Sequence, residues 1–295
     1  MSEDSVTRVM MWCPPRTTST AILKCLTYVP NSQVWCEPFL FADYCGPDGN
    51  FRTEFMQWLK DLWGVNDSLA EIKKIKGGFL AHDTPFSWIK EQLESSPPGI
   101  KVIFCKEMIW GFDNHYESLP EGFKHTFLIR HPYKVFHSWK KMINRGMTDE
   151  SNHYKLTDQP AFLLPKGYHF KEVYDMWKHV KETVDPNPVV VDVDDILTDP
   201  GRVLKAYCEA VGIPYSDDLL TWPAGRECMD EMWNISKEEI TAHNYGGHHL
   251  ETFRSTGFIK PKPCPKREEL DEEVLHCSDV SMKYYQEMYE SKLKC

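Results

Sequence analysis

An arginine and four hydroxyl side chains stand in a row at Arg16, Thr17, Thr18, Ser19 and Thr20, behind Pro15 and ahead of an apolar helical pattern. Side chains of these kinds are suited to holding a phosphate-like anion. A strand, read in TRVMMWC, that turns into a helix through this stretch aims backbone N–H groups and hydroxyls at one point. The positive end of the helix dipole then lies behind them. Pro15 to Thr20 thus read as a phosphate cradle, although helix capping by Ser and Thr accounts for the same residues locally. A nucleoside triphosphatase loop of the form GxxxxGK[ST] needs glycines and a lysine that this stretch lacks.

A second constellation lies downstream in FLIRHPYKVFHSW, where Arg130 ends an apolar strand and Ser138 follows on the next helix. A strand-end guanidinium and a helix-face hydroxyl can converge on one phosphate, the first through paired donors. Taken singly, Arg130 fits a surface ion pair and Ser138 a solvated helix face. Their placement after the first loop favours a shared anion.

The elements that must position these groups alternate. TRVMMWC reads as a buried strand, STAILKCLTYV as a helix ending before Pro30, and QVWCEPF as a second short strand or turn. FRTEFMQWLKDLW and TPFSWIKEQLES have helical spacing, GIKVIFCKEM and FKHTFLIRHP read as strands, and KVFHSWKKMINRG as a helix closed by Gly146. FKEVYDMWKHVKETV is an amphipathic helix and NPVVVDVDDI a β-branched strand. DPGRVLKAYCEAVGI is a helix with Asp199 as cap and Pro200 in its first turn. The fold class expected is α/β, a three-layer sandwich with a central, mainly parallel sheet flanked by helices. No repeat or linker interrupts residues 1–295, so one domain is expected, with 255–295 an extended proline-bearing segment plus a C-terminal helix.

Composition narrows the partners. A 295-residue chain with 41% hydrophobic residues can bury a large core, and its formal charge of −10 disfavours nucleic acid as a partner. No apolar run is long enough for a membrane anchor and the first residues do not form a signal peptide, so a cytoplasmic protein is expected. The ten cysteines form no CxxC pair and read as free buried thiols. The histidines of HNYGGHHLE match no familiar ligand spacing and read as a loop, so no metal is expected.

Taken together, these motifs resemble the sulfotransferases that use 3′-phosphoadenosine 5′-phosphosulfate. The 5′-phosphosulfate loop of that family commonly runs Pro-Arg/Lys-Ser-Gly-Thr-Thr/Ser, which PRTTST fits except at Thr17 and Thr18. The family's 3′-phosphate motif is matched by Arg130, Pro132 and Ser138. KVIFCKEM resembles its central strand, which often carries a lysine where Lys106 stands. VVVDVDDILTDPGRVLKAYCEAVGIPY resembles its later acidic strand end, Asp-Pro turn and helix, so the likeness runs from about Val9 to Tyr215. It implies a P-loop-like nucleotide-binding topology and a sulfuryl donor held by Pro15, Arg16, Thr17, Thr18, Ser19, Thr20, Arg130 and Ser138. Lys106 and Arg16 would share the charge that develops on the leaving phosphate.

Two departures matter. Thr18 replaces the usual glycine, so the backbone there must avoid positive φ or carry strain. Met108 stands where many steroid and phenol sulfotransferases have a histidine base. Glu37, at the end of the second strand, is the replacement expected, because carbohydrate and protein-tyrosine sulfotransferases similarly carry a glutamate base after the phosphate-binding helix. Read as a plain turn residue, Glu37 would have no such role, and His82 and His115 then become the alternative bases. Aromatics at Trp35, Phe39, Phe41, Tyr44, Trp88, Trp110 and Phe112 are compatible with a pocket for a small hydroxylated acceptor, and equally with core. A homodimer is compatible with this reading. A P-loop-like kinase, with an Asp at 192, 194 or 195 for a metal, and a donor-binding module without turnover are the competing functions.

Overall fold

The computed structural model describes residues 6–63, 68–112, 115–144, 155–246 and 249–295. Its centre is a six-stranded parallel sheet in the order β5-β4-β1-β3-β2-β6. These strands are β1 (Thr7–Cys13), β2 (Ser32–Cys36), β3 (Val102–Met108), β4 (Lys124–Ile129), β5 (Val189–Asp192) and β6 (Trp233–Asn234). The helices that precede β4 are α1 (Ser19–Leu26), α2 (Pro38–Cys45), α3 (Arg52–Trp63), α4 (Ser68–Lys73) and α5 (Phe86–Glu94). After it come α6 (Pro132–Asn144), α7 (Phe170–Thr183), α8 (Val193–Thr198), α9 (Pro200–Val211), α10 (Lys237–Gly246), α11 (Leu250–Arg254) and α12 (Glu272–Glu290).

The apolar runs in β1 and β3 follow from coverage on both sheet faces. Val9, Met11, Cys13, Val102 and Phe104 join residues of α1 and α9 in one core, while Met10, Trp12, Ile103 and Cys105 join residues of α5, α6, α7 and α12 in the other. β3 then changes character: Lys106 and Glu107 are charged and fully buried at its carboxyl end. Buried charge at that end of a parallel strand is where a ligand site belongs.

Connectivity places the two anion motifs together. β1 lies between β3 and β4, and the chain passes from one side of β1 to the other between those two strands. The loop after β1 carries Arg16 and the end of β4 carries Arg130, which puts both at the carboxyl edge of neighbouring strands.

Several expected elements differ in extent. α1 stops at Leu26 rather than near Val29, and β5 lasts four residues because Asp192 accepts a hydrogen bond from the Asp194 amide (2.8 Å) and starts α8. Asp199 caps α9 as expected, accepting from the Arg202 amide at 3.3 Å, and Gly212 closes that helix with φ of 80°. Gly146, expected to close α6, lies outside the described residues. All ten cysteines are free, with Cys264 and Cys295 exposed and the other eight buried. Among the described residues no helix is long and apolar enough to cross a membrane.

Candidate active site

The loop between β1 and α1 is built on unusual backbone. Arg16 has φ of 63° and Thr18, the N-cap of α1, has φ of 59° and ψ of 14°. The position normally given to glycine has thus kept the left-handed conformation and carries a β-branched residue there. Such a residue costs of order 1–3 kcal/mol and persists only where its surroundings enforce it. One such restraint is the Thr17 hydroxyl, which donates to the Pro14 carbonyl at 2.8 Å. Pro15, Thr17, Ser19 and Thr20 are buried, while Arg16 and Thr18 are half-buried. Ser19 and Thr20 begin the helix, where amides have no intrahelical acceptor and suit an anion. Thr18→Gly is expected to relieve the strain and stabilise the fold by about 1 kcal/mol. Urea unfolding measures this, and a destabilised Gly variant would show that Thr18 is held by contacts worth more than its backbone cost.

Arg16 joins the two anion motifs. Its Nε donates to Ser138 Oγ at 3.2 Å, and its carbonyl accepts from Arg130 Nη1 at 2.9 Å. Arg16 therefore meets two residues more than a hundred positions away at one edge of the sheet. Arg130 also faces Asp194, with its Nε 3.7 Å from Oδ1, and Lys134 donates to the other oxygen of the same carboxylate. Asp194 supports two cations that face the same region as Arg16. Lys134 was not singled out from sequence, where the i, i+4 spacing of Arg130 and Lys134 was the available signal, and Asp194 was considered there for a kinase metal rather than as a partner of Arg130.

The second half of the site forms between β2 and β3. Cys36 is paired with Lys106 in the ladder, and the Glu37 amide donates to the Lys106 carbonyl at 2.8 Å. Glu37 then turns into the left-handed region with φ of 45° as the N-cap of α2. This turn brings its carboxylate onto the Lys106 ammonium as a buried ion pair, with the two residues 6% and 0% exposed. The lysine and the carboxylate expected from sequence are thus in contact. The strand of Glu37 lies next to β3 rather than β1, so β3, which carries Lys106, stands between Glu37 and the strand that leads into the loop.

Cys13 marks that connection. This buried thiol is pushed up by burial, an effect opposed by the nearby Lys106 charge and by hydrogen bonds with the Ser19 and Thr17 hydroxyls. One buried atom therefore senses both the loop and Lys106. On the opposite face of β3, Glu107 accepts from the Phe39 amide at 2.7 Å and the Met108 amide at 2.8 Å, which fixes the start of α2 behind Glu37. Burial pushes its carboxyl up to about 8 against those two bonds. Sequence reasoning passed over Glu107, whose signal was a second charge inside an apolar strand.

The alternative bases lie in other surroundings. His82 is 2.7 Å from Asp83 and hydrogen-bonded with Arg52, and His115 is 3.3 Å from Glu117. Of the aromatic residues considered for an acceptor pocket, Phe39 packs on Phe86 and Phe112, and Phe41 packs on Tyr44. Trp110 donates to Tyr44 Oη and the Phe162 carbonyl. Six of the seven are buried and Trp88 is at the surface, so these rings serve as core in this conformation. A surface hollow of about 430 Å³, lined by Gly201, Arg202, Lys205, Tyr215, Ser216 and Asp217, includes none of the expected site residues. Its open, polar lining offers no partner for the charged cluster, and the chemistry is assigned to the cluster.

Comparison with known proteins finds matches to part of the chain and to parts of longer relatives. Residues 184–291 match the sequence family described as the sulfotransferase domain. This lies largely downstream of the Val9–Tyr215 stretch whose motifs suggested the likeness. The branched-chain-amino-acid aminotransferase-like protein 1 of Arabidopsis thaliana is 28% identical over 271 residues, covering 90% of this chain and 39% of that protein. The sulfotransferase ppzF of Metarhizium majus is 25% identical over 144 residues, covering 46% of this chain and 39% of its own length. The chain thus spans about two fifths of the length of the curated relatives it matches. Among solved structures, the sulfotransferase domain of the Synechococcus PCC 7002 olefin synthase covers 95% of this chain and 96% of its own, with 16% identity and a TM-score of 0.48.

Proposed function

We propose that this chain, whose residues 184–291 carry the sulfotransferase domain sequence, transfers a sulfuryl group from 3′-phosphoadenosine 5′-phosphosulfate to the hydroxyl of a small-molecule acceptor. The observation that carries this reading is the junction at Arg16, whose guanidinium meets Ser138 and whose carbonyl meets Arg130. A donor with phosphates at both its 5′ and 3′ positions needs two anion sites, and the paired motifs would supply them. Pro15 to Thr20 would hold the 5′-phosphosulfate, and Arg130 with Ser138 the 3′-phosphate. The whole chain would act as one domain, since α12 packs into the same core as β3 and α6.

Sulfuryl transfer is expected to follow phosphoryl transfer: an in-line displacement through a loose transition state in which positioning and charge stabilisation dominate. The acceptor oxygen forms a bond to sulfur as the bond from sulfur to the 5′-phosphate oxygen breaks. Negative charge collects on that leaving oxygen, where Lys106 and Arg16 would meet it. The acceptor proton would pass to Glu37, whose carboxylate the Lys106 ammonium holds in place. An acidic chain with this focused cationic cluster suits a small acceptor better than a long polyanionic glycan.

Arg130→Ala tests the donor assignment. Loss of a charge-assisted pair should weaken 3′-phosphoadenosine 5′-phosphate binding by about 1.5–3 kcal/mol. Binding of adenosine 5′-phosphosulfate, which lacks the 3′-phosphate, should barely change. Calorimetry with both nucleotides decides, and equal losses would remove Arg130 from this role.

A further inference from the structure

Behind Glu37 lies a cluster that sulfuryl transfer does not use. Cys36 ends β2, and its thiol donates to Glu239 Oε1 at 3.0 Å. Glu239 lies on α10, and His243, one helical turn later on the same face, places Nε2 3.4 Å from that same oxygen. Donor atoms of Cys36, Glu37 and Glu239 all lie within 4.8 Å of one another. These three residues are buried, and the His243 side chain is 8% exposed.

The cluster is incompletely bonded. Glu239 Oε2 and both ring nitrogens of His243 are buried without a hydrogen-bond partner among the described residues. Lys106 neutralises one carboxylate, that of Glu37, and leaves Glu239 facing a thiol and an imidazole. A buried carboxylate in such surroundings requires a proton or a cation.

The spacing and donor types favour a cation. Metal bonds of about 2.0–2.3 Å in a tetrahedron put neighbouring donor atoms roughly 3.3–3.8 Å apart. Cys36 Sγ and His243 Nε2 lie 3.0 and 3.4 Å from Glu239 Oε1, and Glu37 joins Cys36 and Glu239 in a set bounded by 4.8 Å. Modest side-chain adjustment, that of His243 above all, would complete the shell. A sulfur, an imidazole and carboxylates select a zinc-class ion over magnesium or calcium. With Cys36 as thiolate, the three anions of Cys36, Glu37 and Glu239 balance one divalent cation and the Lys106 ammonium. We propose that Cys36, Glu37 and Glu239, with His243 as fourth donor, form a binding site for a zinc-class divalent cation. Binding forms a metal–sulfur bond as the Cys36 thiol releases its proton to solvent. Glu37 held between Lys106 and the cation could not accept a proton, so occupancy would inhibit turnover. That consequence rests on the function proposed above, whereas cation binding does not.

Cobalt(II) is the probe, titrated into the full chain carrying Cys264→Ser and Cys295→Ser, because those two exposed thiols could bind metal on their own. The expected result is a thiolate-to-cobalt charge-transfer band that saturates at one equivalent and is displaced by zinc. Cys36→Ser should abolish the band, and Glu239→Gln and His243→Gln should each weaken cobalt binding by at least about tenfold, with unchanged circular dichroism. Absence of the band at one equivalent, or its survival in Cys36→Ser, overturns the proposal. Should Cys36→Ser fail to fold, unchanged cobalt affinity in Glu239→Gln overturns it instead.

Discussion

Lys106→Met is expected to lower sulfuryl transfer by about 10²–10³-fold, the loss typical of one donor aimed at developing charge. The same change should destabilise the fold by about 3–5 kcal/mol, because it leaves Glu37 ionised and buried without its partner. These two effects separate in the double variant Lys106→Met/Glu37→Gln. Removing both charges should restore most of the stability and none of the rate. Acceptor saturation should change little in any variant that retains measurable transfer, since the charge met by Lys106 develops in the transition state. Urea unfolding and initial rates test both effects. A Lys106→Met enzyme with near-normal turnover, or one whose sole defect is weaker acceptor binding, would contradict the role given to Lys106.

Glu37→Gln should cost at least about 10²-fold in turnover, within the range for loss of a positioned general base. The amide carbonyl can still accept from Lys106, so donor affinity should be retained in the folded variant, with a loss of stability from the uncompensated Lys106 charge. Measurement of turnover beside donor binding in the same preparation gives the needed comparison. Near wild-type turnover would exclude Glu37 as the base and return His82 and His115 to consideration. Each is held by its own acidic neighbour, Asp83 or Glu117, so their involvement would require a rearranged acceptor side.

β1, β3 and β4 were legible because each is a short apolar run bounded by turn residues and covered on both faces. The start of α9 could be read from Asp199 and Pro200, whereas the sequence reading ran past its stop at Gly212. Strand order could not be read in the same way. The Glu37–Lys106 contact depends on β2 pairing with β3 and on a left-handed turn at a glutamate, and neither leaves a local pattern. The meeting of Arg16 with Ser138 likewise depends on how α6 packs, whereas the residue types themselves were visible. β6 has two residues, too few for a period-2 signal. Glu239 and Cys36 lie 203 positions apart, and only the fold puts them together. Thr18 was recognised as a departure, and the structure adds that the chain keeps the glycine-like backbone and accepts its cost.

The central claim is that two anion sites, joined through Arg16, are built for a nucleotide phosphorylated at both its 3′ and 5′ positions. Titration calorimetry of the unmodified chain with 3′-phosphoadenosine 5′-phosphate and, separately, with ATP and magnesium tests this most directly. The predicted result is one-site binding of the bisphosphate with at least about tenfold preference over ATP, as expected when a charge-assisted contact worth about 1.5–3 kcal/mol is specific to the 3′-phosphate. Tighter binding of ATP with magnesium, or no measurable binding of the bisphosphate, would contradict it.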